Sequence, residues 1–155
     1  MKQLLIVLIL MSAASFTYAN DNRERVNQTL DALHHNASIA DMDEYFNLYH
    51  DTAVFIGTDA SEVWNKEAFK AYAKPHFDKG KGCTYHPKTR NVYFSPNQDV
   101  AWFDELLDNE SLGETRGTGV LIKEEGRWKI TQYHLTIPIP NALADSVAKQ
   151  VKAAQ

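Results

Sequence analysis

The chain has 155 residues, with 16 Lys and Arg against 20 Asp and Glu, a formal net charge of −4 and one cysteine. This mild acidity excludes the basic footprint that nucleic-acid binding needs. A single thiol excludes a scaffold held by intramolecular disulfides, and the length suits one domain with one hydrophobic core.

The chain opens with Lys2, an apolar run from Leu4 to Met11, and the small-residue site Thr17-Tyr18-Ala19. This reads as a secretory signal peptide over residues 1–19, cut near Ala19; the apolar run is too short to span a bilayer. The expectation is therefore a periplasmic or secreted protein with a single domain over 20–155 and no membrane span after signal cleavage. Asn27, Asn36 and Asn109 each head an N-x-Ser/Thr triplet, which matters only in a host that glycosylates them.

Val26, Leu30 and Leu33 form one stripe of a first helix, which His34 and His35 close with charge that suits the helix dipole. A second short helix carries Met42, Tyr45, Phe46 and Tyr49 on its apolar face. Its N-cap is Asp41, with Glu44 three residues on. Ala53 to Gly57 reads as a strand. A third helix begins at the N-cap Asn65, faces Phe69 and Tyr72 inward, and ends or kinks at Pro75. Four strands follow: "TYHPKTRNVYFS", whose Pro87 suits an edge, then "VAWFDELL", "TRGTGVLIK" and "RWKITQYHLT". A Pro-rich turn and a short helix close the chain. Helices first and a meander after predict an α+β fold, a curved antiparallel sheet with the helices on its concave face. Cys83 reads as a buried small hydrophobe, with an intermolecular bridge as the alternative.

The turn "KEEGRW" sets the register. A three-residue loop Glu124-Glu125-Gly126 pairs Ile122 with Trp128, Val120 with Ile130, Thr118 with Gln132 and Arg116 with His134. The even-numbered face then holds Trp102 and Trp128, which assign it to the interior. Asp104 is expected to point inward and Glu105 outward, because neighbours on a strand face opposite ways. The odd face, with Phe103, Leu121, Tyr133, Leu135, Gly117 and Gly119, is then too apolar for solvent and reads as a homodimer interface. Cover by the C-terminal segment is the alternative.

With these motifs in place, "FNLYHDTAVFIGTD", "RGTGVLIKEEGRWKITQYHLT" and the switch from helices to sheet resemble the nuclear transport factor 2-like superfamily, and within it the SnoaL-like group. The resemblance covers the whole mature chain. It implies a cone-shaped curved antiparallel sheet wrapped around N-terminal helices, an internal pocket and dimerisation. It does not imply one activity, since the fold hosts isomerases, cyclases, dehydratases, binders and association domains. Where the family has enzymes, an Asp with a His or Tyr in the cone often transfers protons, and Asp104 and His134 match in type and place. The second inward acid of ketosteroid isomerase has no counterpart here.

The expected pocket gathers Trp102, Asp104, Arg116, Thr118, Gln132 and His134, with Trp64, Tyr72 and Tyr49 reaching in from the helix side. Asp104 would orient His134 as a proton shuttle, or Arg116 would anchor an acidic ligand through its planar fork. The structural alternative is that the charges merely neutralise each other. His50, His76 and His86 lack metal-ligand spacing, and Asp41 to Glu44 lacks the glycine and length of a calcium loop, so no metal or cofactor is expected. Phosphate-loop, dinucleotide and serine-elbow motifs are absent. The readings are a small-organic-molecule binder first, a proton-transfer isomerase, dehydratase or lyase second, and an association module third. Whether the chain is an enzyme stays open.

Overall fold

The computed structural model describes residues 21–154; the signal peptide expected over 1–19 lies outside them. Helix α1 covers residues 21–38. It is followed by α2 (Met42–Asn47), β1 (Tyr49–Ile56), β2 (Val63–Asn65), α3 (Lys66–Phe77), β3 (His86–Phe94), β4 (Val100–Asn109), β5 (Gly113–Glu124), β6 (Arg127–Thr136), a 3₁₀ turn (Asn141–Leu143) and α4 (Ala144–Ala154). The six strands form one sheet in the order β2-β1-β6-β5-β4-β3. The meander is antiparallel throughout, but β1 joins β6 in parallel. The fold is the expected α+β, with one parallel junction added and a short strand, β2, in front of α3.

Local chemistry accounts for the helix boundaries. The Asp41 side chain accepts from the Glu44 amide at 3.0 Å, and Asn65 accepts from the Ala68 amide at 2.8 Å, satisfying amides that a helix start leaves orphaned. Pro75 does not end α3, which runs on to Phe77. Val26, Leu30, Leu33 and Ala37 of α1 are buried with Tyr45, Phe46, Phe69 and Ala73 of the other helices against the sheet.

The sheet faces are reversed from expectation along most of their length. Ala101, Phe103, Glu105 and Leu107 of β4 are buried, whereas Trp102 is 45% exposed. The cause is the β5–β6 hairpin. Glu124 pairs with Arg127, so the loop is two residues, Glu125 and Gly126, both at positive φ (48° and 76°) as a type I′ turn requires. That sets Ile122 against Lys129, the pairing the hydrophobic pattern alone disfavours. A β-bulge at Thr131 then restores the pattern: Leu121 pairs with Ile130 but Val120 pairs with Gln132. Trp128 and Ile130 point inward before the bulge, and Tyr133 and Leu135 point inward after it.

The odd-numbered face is thus the protein's own core, which corrects its assignment to a dimer interface. Gly117 and Gly119 serve that core. A Cβ on Gly119 would lie 2.2 Å from the Gln132 carbonyl and 2.7 Å from the Phe103 ring. Overpacking of this kind costs about 1–3 kcal/mol. Gly119→Ala is therefore expected to lower unfolding stability by about that amount, read as a reduced urea midpoint at unchanged slope.

Candidate functional site

The inward turn of β4 brings Glu105 into the core, where it is 0% exposed. A charge there survives only if it is paired. Arg90, directly across on β3, donates from Nε to Glu105 Oε2 at 2.8 Å. His34 of α1 lies 2.8 Å from Oε1 through Nε2, and the Tyr133 hydroxyl donates to the same oxygen at 3.2 Å. Arg90 also donates from Nη1 to Asp31 at 2.7 Å and to the Asn27 carbonyl at 3.3 Å, so the network clamps α1 onto the sheet. Gly117, opposite Glu105 on β5, leaves room for it: a Cβ there would meet the Tyr133 hydroxyl at 2.4 Å and Glu105 Oε1 at 2.9 Å.

Burial pushes the Glu105 carboxyl upward, but the hydrogen bonds and charges of His34 and Arg90 outweigh it and hold the group below its ordinary range. Glu105 is ionised and can only accept hydrogen bonds, so His34 Nε2 must carry a proton. Nδ1, the other ring nitrogen, makes no hydrogen bond among the described residues. Burial first, then the nearby Glu105 charge, keeps the Tyr133 hydroxyl protonated well above the usual tyrosine value. Burial does the same to Tyr45 and Tyr49, whose hydroxyls are 3.1 Å apart.

In front of this network is a cavity of about 280 Å³. His34, Tyr45, Tyr133, Leu33 and Leu135 supply its buried lining, and Phe55, Trp64, Phe69 and Tyr72 form an aromatic wall. Exposed Thr58, His76, Lys81 and Cys83 lie at its rim. Glu105 is not among the lining residues. It sits behind His34 and Tyr133, which do line the cavity.

Trp64 and Tyr72 line the cavity as the sequence reading expects. The other six predicted site residues do not. Trp102, Asp104, Arg116, Thr118, Gln132 and His134 share the outer face of the sheet, where Thr118 pairs with both Asp104 and His134. The Asp104–Thr118–His134 row is real, but it faces away from the helices. Asp104 accepts from Asn91 at 3.1 Å, and Trp102 stacks on Tyr93. The two-residue turn puts the β4 and β5 members on the face opposite Trp128, and the bulge at Thr131 does the same to Gln132 and His134. Tyr49 lies in the core rather than the cavity, and Cys83 is exposed rather than buried.

His34 and Glu105 were missed although signals for both exist. His34 falls four residues after Leu30 on the buried stripe of α1, so it points inward with Leu33 instead of fraying at a helix end. Glu105 alternates with Phe103 and Leu107 on β4 and faces Gly117 across the strand pair.

A SnoaL-like domain family model matches residues 26–140. Solved structures share the fold at low identity. A nuclear transport factor 2-like protein of unknown function from Pseudomonas putida is 17% identical over 76% of this chain and 87% of its own, with a TM-score of 0.64. A nuclear transport factor 2-like protein with a cystatin-like fold from Novosphingobium aromaticivorans is 11% identical over 86% of this chain and 93% of its own, with a TM-score of 0.65. A cystatin-like-fold protein from Nostoc punctiforme is 13% identical over 75% of this chain and 90% of its own, with a TM-score of 0.62. No curated protein matches the chain.

Removing one partner from a buried charge network costs about 3–5 kcal/mol. Glu105→Gln is expected to lose stability in that range at pH 7, measured by urea unfolding. Because the native Glu105 value is depressed, its contribution is fully present above the unfolded-state value of about 4.3. It disappears as pH falls through the lower native value. The gap between wild type and Glu105→Gln should therefore close on acidification, and a gap independent of pH would contradict the ionised assignment.

Proposed function

The chain belongs to the SnoaL-like domain family, and from that premise we propose that it takes up a small organic molecule in the cavity and exchanges a proton with it through His34. The observation that carries this reading is the buried Glu105–His34 pair behind an otherwise apolar pocket. An ionised carboxylate on Nε2 fixes the imidazole tautomer and leaves Nδ1 to accept a proton from a bound group. Tyr133, whose one hydroxyl proton goes to Glu105, adds an acceptor oxygen beside it. Glu105 acts through His34 and is a positioning residue; His34 and Tyr133 are the groups in contact. A cavity near the small end of ligand-site volumes restricts the guest to a compact molecule.

Secretion and dimerisation are proposed with it. The leader over 1–19 would deliver the domain across a membrane, and amino-terminal sequencing of protein from its own host should begin near Asn20. Tyr93 and Trp102 stack in the open on the outer sheet face, which also carries Asp104 and Arg116. A second copy related by a twofold axis can set Arg116 against Asp104 and cover both aromatics. Trp102→Glu is then expected to sediment as a monomer where wild type is a dimer.

Incubation with a small-molecule extract of the host, followed by mass spectrometry, tests the main reading. A compound retained by wild type and lost in Trp64→Ala identifies the guest. A compound depleted by wild type but only bound by His34→Gln establishes proton-transfer turnover. If nothing is retained or depleted, the reading fails.

A further inference from the structure

The start of β6 and the first turns of α1 carry basic residues that the cavity beside His34 does not use. Arg127 and Lys129 flank the buried Trp128, so alternation along β6 puts both on one face of the strand. Arg25, Gln28 and Thr29 stand three and four residues apart on α1 and share a helix face. With Asn47, at the end of α2, they line a second pocket of about 300 Å³. It has no lining residue in common with the first cavity.

The charge in this pocket is one-sided. Arg25, Arg127 and Lys129 line it, and no Asp or Glu does. The chain as a whole has more acids than bases, 20 against 16. Elsewhere several of its lysines sit on carboxylates: Lys66 on Asp51, Lys74 on Asp78 and Lys88 on Glu114, each within 2.9 Å. Among the described residues Arg25 and Lys129 make no ion pair. Arg25 donates instead to the Gly126 carbonyl, and Lys129 to the Asn47 carbonyl and, at 3.4 Å, to the Asn47 side chain. Arg127 reaches Glu125 at 3.9 Å with both side chains largely in solvent, where such a pair is worth little. The carbonyl contacts therefore hold the cationic groups in place without neutralising them. The crowding shows at Lys129. Partial burial first, then the charges of Arg127 and Lys66, push its ammonium below the ordinary lysine value, against a weaker pull from Glu124 and Asp51.

A ligand suited to this pocket carries more than one negative charge, since a single carboxylate would leave most of the positive charge unmatched. A guanidinium fork meets two oxygens at a time, and an ammonium adds a compact charge for a further one. A carboxylate presents its two oxygens in one plane. A tetrahedral phosphate presents oxygens in several directions, to groups arriving from a helix and from a strand. Leu48 and Trp128, also in the lining, give an organic remainder an apolar surface to pack on. We propose that the pocket between α1 and the start of β6 is a phosphate-binding site, for the free ion or for the phosphate group of a small monoester.

Isothermal titration with inorganic phosphate, phenyl phosphate and acetate, all at one total ionic strength, tests this. The better of the two phosphates is expected to bind at least tenfold more tightly than acetate. Phenyl phosphate binding more tightly than inorganic phosphate would support the site and name a monoester as its ligand; otherwise the free ion is the ligand. Arg127→Gln and Lys129→Gln should each weaken phosphate binding about tenfold, the loss of one charge-assisted contact. The Arg127 side chain is 66% exposed, so its replacement leaves the fold intact. Lys88→Gln removes a cation from β3, outside the pocket, and should leave the affinity unchanged. Phosphate affinity no greater than that of acetate would overturn the proposal. An equal loss in Lys88→Gln would also overturn it, by reducing the effect to general attraction by surface charge. So would phosphate binding that survives both pocket variants unchanged, which would place the site elsewhere.

Discussion

A carboxylate sealed inside a protein must be neutralised where it stands, and the interior of this fold is arranged around that requirement at Glu105. Arg90 takes one oxygen; His34 and Tyr133 take the other. Each partner comes from a different element, so the charge ties β3, β4, β6 and α1 together. Asp31 and the Asn27 carbonyl hold the far side of Arg90 and fix the helix in place. Gly117 is small because Glu105 and Tyr133 occupy the space its side chain would need. The same contacts that make the charge tolerable hold His34, a residue of the cavity lining, in place.

Around this centre the polar and apolar roles separate cleanly. The tyrosine hydroxyls near it stay protonated because burial opposes their ionisation. The wall facing them is almost wholly aromatic. A guest would therefore find one end of the pocket able to exchange hydrogen bonds and the remainder able only to pack against it. Small-molecule sites are commonly built in this way, with few polar groups set in an apolar lining.

The order of elements, both helix caps and the buried stripe of α1 were legible from residue types and spacing. The family resemblance carried the architecture further, to the pocket beneath the helices. The sheet faces were not legible, because two one-residue shifts add to two and leave the alternation looking undisturbed. A two-residue turn at Glu125-Gly126 moves the register by one, and the bulge at Thr131 moves it by one more in the same direction, so even-numbered residues again pair with even-numbered ones. Hydrophobic alternation reads only the sum of such shifts. Taking a three-residue loop and an unbroken strand after it put Asp104 and His134 inside, and Glu105 and Tyr133 outside. Trp102 reinforced the error: a large aromatic suggests a core position, yet this one stacks on Tyr93 at the surface. Trp64 and Tyr72 escaped it because they belong to β2 and α3, beyond the hairpin.

The ionisation state of Glu105 is the point on which the account turns. Infrared difference spectroscopy between wild type and Glu105→Gln isolates the carboxyl stretch of this one group. The account predicts a carboxylate signal at neutral pH that persists on acidification below the range in which ordinary glutamates protonate. A protonated carboxylic acid signal at neutral pH would contradict it, since Glu105 would then no longer need Arg90 and would not set the tautomer of His34.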